Sequence, residues 1–157
     1  MIQWHRDIGL AVAGRWFAAR AGAPPINVAE AMEMIEEQNA LVLDVRDLRE
    51  SDTSHLQGAE RFALEDLKAG RLPDSVQQDR PIITYCTIGY RSGAAAKILV
   101  DKGFDAHNLR GGILALAQAS APLVGANGPT RKVHTWSKGF AWLLVSDHEA
   151  VWDQTDP

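Results

Sequence analysis

Two short apolar runs constrain what this chain can fold into. Leu41-Val42-Leu43-Asp44-Val45 and Pro81-Ile82-Ile83-Thr84-Tyr85 are rich in β-branched residues and bounded by polar sequence. Neither alternates polar with apolar, so each reads as a strand buried on both faces rather than one with a solvated side. A proline at the first position of the second run costs no needed ladder donor. Strands covered on both faces belong to parallel sheets sandwiched between helices, and the intervening sequence supplies those helices.

Pro24-Pro25 ends the first segment, and Asn27-Val28-Ala29-Glu30 places a capping asparagine three residues before a glutamate, the start signature of a helix. Val28, Ala31, Met32 and Ile35 share one face of that helix, Glu33, Glu36 and Glu37 lie on the other, and the pattern ends near Asn39. A second helix is expected from Arg91 to Lys102, with Ala94, Ala95, Ile98 and Leu99 inward and Gly103 as its stop. Ala106 to Leu109 is a weaker strand candidate, and Gly111-Gly112 leads into a short helix from Ile113 to Ala119.

The chain has 157 residues, enough for one ordinary domain plus extensions. The domain is expected over 26–120. It is preceded by an N-terminal helical extension over 1–25 and followed, over 121–157, by a Pro/Gly-rich linker and an apolar tail. Trp136, Phe140, Trp142, Leu143, Leu144, Val151 and Trp152 make that tail too apolar to hang free, so it is expected to dock on the domain or on a second copy in a homodimer. The five tryptophans, with Trp4 and Trp16, are expected to pack the two ends.

A net charge of -4 without a basic run gives no footprint for nucleic acid. Asp7 and Arg15 break up the N-terminal apolar stretch, which reads as a helix rather than an export signal, and no run is long enough for a membrane span. The location expected is cytoplasmic. One cysteine cannot form an internal disulfide or a thiolate-rich metal site. His134, Asp147, His148 and Glu149 have no recognised ligand spacing and are expected at the surface, so no metal and no cofactor is anticipated.

That single cysteine stands at the carboxyl end of the second strand, in Cys86-Thr87-Ile88-Gly89-Tyr90-Arg91-Ser92, just before a helix. Ligands of open parallel sheets bind at such strand ends. The loop amides can turn inward where Gly89 relaxes the backbone, the following helix points its free N–H groups at the same place, and Arg91 can add a full positive charge. These features favour a thiolate, the nucleophilic form of cysteine. A lone cysteine at a strand end is more often a buried apolar residue, Gly89 alone could be a turn and Arg91 alone a surface charge. Together, between strand and helix, they favour the chemical reading.

From about Ile26 to Ala119, roughly three-fifths of the chain, the sequence resembles a rhodanese domain. The resemblance is carried by Leu43-Asp44-Val45-Arg46 with Glu50, by His55-Leu56-Gln57-Gly58-Ala59, by the Cys86 to Ser92 loop, and by Gly103-Phe104 and Leu109-Arg110-Gly111-Gly112. It implies an α/β fold of three layers, α/β/α, around a five-stranded parallel sheet. It also implies a sulfurtransferase in which Cys86 carries a persulfide while Thr87, Ile88, Gly89, Tyr90 and Arg91 bind the substrate. Thiosulfate or a persulfide would donate sulfur, and cyanide, a thiol or a protein would accept it in a ping-pong cycle. Similar phosphatase loops separate Cys and Arg by five residues, whereas Cys86 and Arg91 are separated by four.

Asp44, Arg46, His55 and Ser92 are expected to support the site. Asp44 would brace loop backbone, Arg46 would pair with Glu50, and His55 would order a loop rather than move a proton. Gln57 replaces the family's usual proline, and Leu116 stands where many members carry a tryptophan, so no aromatic wall is expected from that position. Two other readings stand beside the enzyme: a sulfur-relay or binding module serving a specific protein partner, and a catalytically dead interaction domain, which the intact loop disfavours.

Overall fold

A computed structural model of the chain describes residues 23–144 and 147–153. The N-terminal extension, with Trp4 and Trp16, lies outside the described residues except for its last three positions.

Five parallel strands form the central sheet: β1 (Pro25–Ile26), β2 (Leu41–Asp44), β4 (Glu60–Arg61), β5 (Ile82–Tyr85) and β6 (Ala106–Leu109), in the order β1-β6-β5-β2-β4. The two strands read from apolar runs are central neighbours, with Leu41 opposite Ile82 and Asp44 opposite Tyr85. Their alternation divides the core. Leu41, Leu43, Val45 and Ile82 face α3 (Leu64–Lys68) and α4 (Tyr90–Asp101) through Leu64, Leu67, Ala95 and Leu99. Val42, Ile83 and Tyr85 face α1 (Val28–Gln38) and α5 (Gly112–Gln118) through Ala31, Ile113, Leu114 and Ala117. A period of two places successive side chains on opposite faces, which is why both faces are apolar and both are covered.

The expected capping box is present on α1: Asn27 Oδ1 accepts from the Glu30 amide at 3.0 Å, and Glu30 Oε2 accepts from the Asn27 amide at 2.7 Å. A second box, absent from the sequence reading, starts α2 (Leu48–Thr53), where Asp47 and Glu50 exchange the same bonds. It turns Glu50 inward at the end of β2.

The stretch read as a linker carries an antiparallel hairpin, β7 (Leu123–Gly125) with β8 (Gly128–Pro129), and β7 pairs with β3 (His55–Leu56). After it, β9 (Lys132–His134) pairs with β10 (Glu149–Val151), and a 3-10 turn spans Lys138–Leu143. Val133, Leu143 and Leu144 are buried in the core face that holds α1 and α5, so this part of the tail docks on the domain. The tryptophans depart from expectation, because Trp136, Trp142 and Trp152 all keep exposed surface. His134 departs in the other direction. It is buried, because β9 carries it beneath the strand pair rather than outward.

Among the described residues no helix is long and apolar enough to cross a membrane. Nor does any group of three or more His, Cys, Asp or Glu side chains among them have the arrangement of a metal site.

Candidate active site

Strand β5 delivers the chain to Cys86, which is 1% exposed at the floor of a loop that ends in α4. Gly89 caps α4 at φ +102°, a conformation open to glycine and strained for other residues. This bend directs the Gly89 amide back at the cysteine, where it donates to Sγ at 3.2 Å. Since Gly89 has no side chain to cap the helix, the first amides of α4 keep their donor capacity on the loop side.

The loop is fastened from three sides. Asn108 on β6 donates through Nδ2 to the Gly89 carbonyl at 3.0 Å and accepts from Ser92 Oγ at 2.7 Å. Ser92 Oγ lies 3.5 Å from Cys86 Sγ, and Thr84 Oγ1 donates to the Ser92 carbonyl at 2.9 Å. From the opposite side, the Ile113 amide at the start of α5 donates to the Cys86 carbonyl at 2.8 Å. That approach is so close that a Cβ on Gly112 would lie 2.1 Å from the Cys86 carbonyl oxygen, which accounts for the glycine at position 112.

Arg91 differs from its expected role. It does not offer a free charge to the loop: its two terminal nitrogens each meet a Glu50 oxygen at 2.6 Å, and one also donates to Thr87 Oγ1 at 3.0 Å. Thr87 Oγ1 in turn donates to Glu50 Oε1 at 3.0 Å. Burial works against the Arg91 charge, but the Glu50 bonds and the potential of Cys86 outweigh it and raise the guanidinium above its ordinary value. The carboxylate is wholly buried and needs this partner.

The expected pairing of Arg46 with Glu50 is likewise corrected. Arg46 Nε and one terminal nitrogen bind the two oxygens of Asp44 at 2.8 and 2.6 Å, and the same terminal nitrogen donates to the Ser54 carbonyl at 2.7 Å. The Arg46 amide also reaches Asp44 Oδ1, so this near neighbour captures the side chain before Glu50 can. Tyr85 Oη donates to Asp44 Oδ2 at 3.0 Å and accepts from the Leu56 amide at 3.1 Å. Asp44 and Arg46 thus brace the ends of β2 and β5 behind the loop. His55 Nδ1 bonds the Ser51 carbonyl at 2.9 Å and ties the end of α2 to β3.

Above Cys86 opens a cavity of about 240 Å³ lined by Thr87, Ile88, Tyr90, Arg91, Trp136 and Phe140. Ile88 is buried in its wall, whereas Tyr90 stands on the rim, 61% exposed. Trp136 and Phe140 stack with ring centroids 6.2 Å apart, and the Arg91 guanidinium lies 5.9 Å from the Trp136 ring. Leu116 is buried in the core, so the aromatic wall comes from the tail instead.

Four contributors are not placed at the site by the sequence alone. Glu50 was visible in the motif but assigned the wrong partner. Asn108 had a local signal, an amide at an inward position of a predicted strand. Trp136 and Phe140 had only their apolarity, which marks a docking segment without saying where it docks.

A doubly covered parallel sheet with a short cysteine loop running from a strand end into a helix defines the class, and the chain belongs to the rhodanese-like domain family, whose pattern residues 27–119 match. Among individual proteins, the chain is 35% identical over 95 residues to the thiosulfate sulfurtransferase GlpE of Actinobacillus pleuropneumoniae serotype 5b, covering 60% of this chain and 86% of that one. The rhodanese-like domain of an Anabaena protein aligns with a TM-score of 0.57 at 27% identity, over 65% of this chain and 79% of its own. A rhodanese-related protein of Thermoplasma volcanium aligns with a TM-score of 0.56 at 25% identity, over 64% and 97%.

Proposed function

We propose that the protein is a rhodanese-type sulfurtransferase that carries sulfur as a persulfide on Cys86. The observation that carries this reading is the Gly89 amide aimed at Sγ at 3.2 Å, in a loop with four residues between Cys86 and Arg91. An N–H directed at sulfur stabilises negative charge there, and the amides at the start of α4 extend the same field to a second sulfur atom. The relatives named thiosulfate sulfurtransferase support the same chemistry.

In the first half-reaction the Cys86 thiolate attacks the sulfane sulfur of thiosulfate. A new S–S bond forms, the old one breaks, and its electron pair leaves on sulfite. In the second, cyanide, a thiol or a protein thiolate takes the outer sulfur and returns the thiolate. No general base is required, because attacker and leaving group are both anions. Thr87, Ile88, Gly89, Tyr90 and Arg91 shape the substrate space, while Asp44, Arg46, His55 and Ser92 hold its frame. A free catalytic thiol suits a reducing, cytoplasmic compartment.

Intact-protein mass spectrometry tests the cycle. Thiosulfate should add one sulfur mass to the wild type and none to Cys86→Ser, and cyanide should remove it with thiocyanate release. Loading of Cys86→Ser would rule out the mechanism. A second reading, a relay module fed by a protein persulfide, is favoured by the engagement of Arg91 with Glu50, which leaves less charge for an inorganic dianion. Loading from a protein persulfide but not from thiosulfate would establish it.

A further inference from the structure

We infer that Trp136 and Phe140 form a selectivity wall that favours sulfur donors whose reacting sulfur is carried on a flat apolar body, such as an aromatic thiosulfonate. This deepens, and rests on, the sulfur-transfer reading of Cys86.

Both residues lie beyond the family-matched segment 27–119, so the wall is an addition by the tail to the shared domain. Its placement is firmly built. Trp136 adopts φ +65°, a left-handed conformation that a bulky residue takes only when its surroundings impose it, and such residues cluster at functional sites. The flanking contacts impose it here: the Thr135 amide donates to the Val151 carbonyl at 2.9 Å, Thr135 Oγ1 to the Ser137 carbonyl at 3.0 Å, and the Trp136 amide to His134 Nδ1 at 3.2 Å. The ring nevertheless remains 37% exposed, stacked on Phe140 at the edge of the Cys86 cavity. Burial in the core therefore does not explain the arrangement.

The charge balance points the same way. Among the described residues Arg91 is the single charged side chain lining this cavity, and Glu50 engages both of its terminal nitrogens. Lys68 and Lys97 line a neighbouring cleft that shares Tyr90 and Arg91 with this one, and they pair with Glu65 and Asp101. An inorganic thiosulfate would present its sulfonate to Ile88, Trp136 and Phe140, whereas an aryl group in that place would bury its ring against them. A volume of about 240 Å³ leaves room for one, since an apolar cavity of about 150 Å³ accepts benzene.

The step balances with the donor alone. The Cys86 thiolate forms an S–S bond to the terminal sulfur of R–SO2–S⁻, the bond from that sulfur to the sulfonyl group breaks, and the electron pair leaves on the sulfinate R–SO2⁻. The anionic end faces the Gly89 amide and R faces the wall.

The test compares kcat/KM for benzenethiosulfonate and methanethiosulfonate, which expel the same type of leaving group, using the full chain. Trp136→Ala and Phe140→Ala should each lower the benzene-to-methane ratio, Trp136→Ala by about tenfold and mainly through KM. Trp142→Ala, at an exposed position outside the cavity lining, should leave the ratio unchanged. Comparing each variant with the wild type cancels the intrinsic reactivity of the donors. An unchanged ratio in both Trp136→Ala and Phe140→Ala overturns the wall while leaving sulfur transfer intact. Failure of the wild type to form a persulfide from either donor, from thiosulfate and from a protein persulfide overturns the sulfur-transfer reading itself.

Discussion

Glu50 and Arg91 stand 41 positions apart in the chain and meet side by side, each carboxylate oxygen 2.6 Å from a different terminal nitrogen of the guanidinium. The pair links the capped start of α2 to the first turn of α4 and closes one side of the cysteine loop. A buried pair of this kind adds little net stability over an apolar substitute, but losing one member strands the other.

Arg91→Ala should therefore destabilise the protein by about 3 kcal/mol, chiefly by leaving the Glu50 charge buried and unpaired. Glu50→Gln keeps the shape and should cost less, while Glu50→Gln combined with Arg91→Ala should recover part of the Arg91→Ala loss. Urea unfolding measures all three. Strictly additive losses would mean that the pair is not coupled.

Gly112→Ala should cost about 3 kcal/mol or more, because the added methyl meets backbone rather than a movable side chain and the residue sits at φ +52°. Persulfide loading on Cys86 should slow as the loop is pushed off α5. A variant with wild-type stability and loading would show that the α5 approach does not hold the loop.

Asn108→Ala removes the donor to the Gly89 carbonyl and the acceptor for Ser92 Oγ. The expected cost is about 1–3 kcal/mol. If Asn108 positions the Gly89 amide, the rate of persulfide loading on Cys86 should fall under conditions where the variant remains folded, a change that simple loss of packing would not cause. An unchanged rate would limit Asn108 to structural support.

Tyr85 should make stability fall in alkali. Burial and the Asp44 charge hold its phenol well above the ordinary value of 10.0. Above that pH the unfolded chain releases a proton that the folded chain retains, so stability declines by up to about 1.4 kcal/mol per pH unit until the folded pKa is reached. Below it both states keep the proton and this dependence vanishes. Tyr85→Phe should lose less stability between pH 9 and pH 11 than the wild type, even though it starts lower for want of the bonds to Asp44 and Leu56. Equal losses in the two proteins would assign the alkaline limb to other groups.

Much of this protein was legible in its sequence because the relevant physics is local. The Asn27 to Glu30 capping box spans one helical turn, the apolar runs of β2 and β5 declare two covered faces, and the loop from Cys86 to Arg91 gathers strand end, glycine bend and helix start within a few residues. Partnership across the fold was not legible in the same way. Periodicity shows which face of an element is apolar but not which element will lie opposite, so Arg46 could be assigned to Glu50 until the bend after β2 returned it to Asp44. Trp136 and Phe140 announced by their apolarity that the tail must dock. Only the tertiary structure decided that they dock beside Cys86, because that position depends on β9 and β10 pairing and on the 3-10 turn packing against the domain.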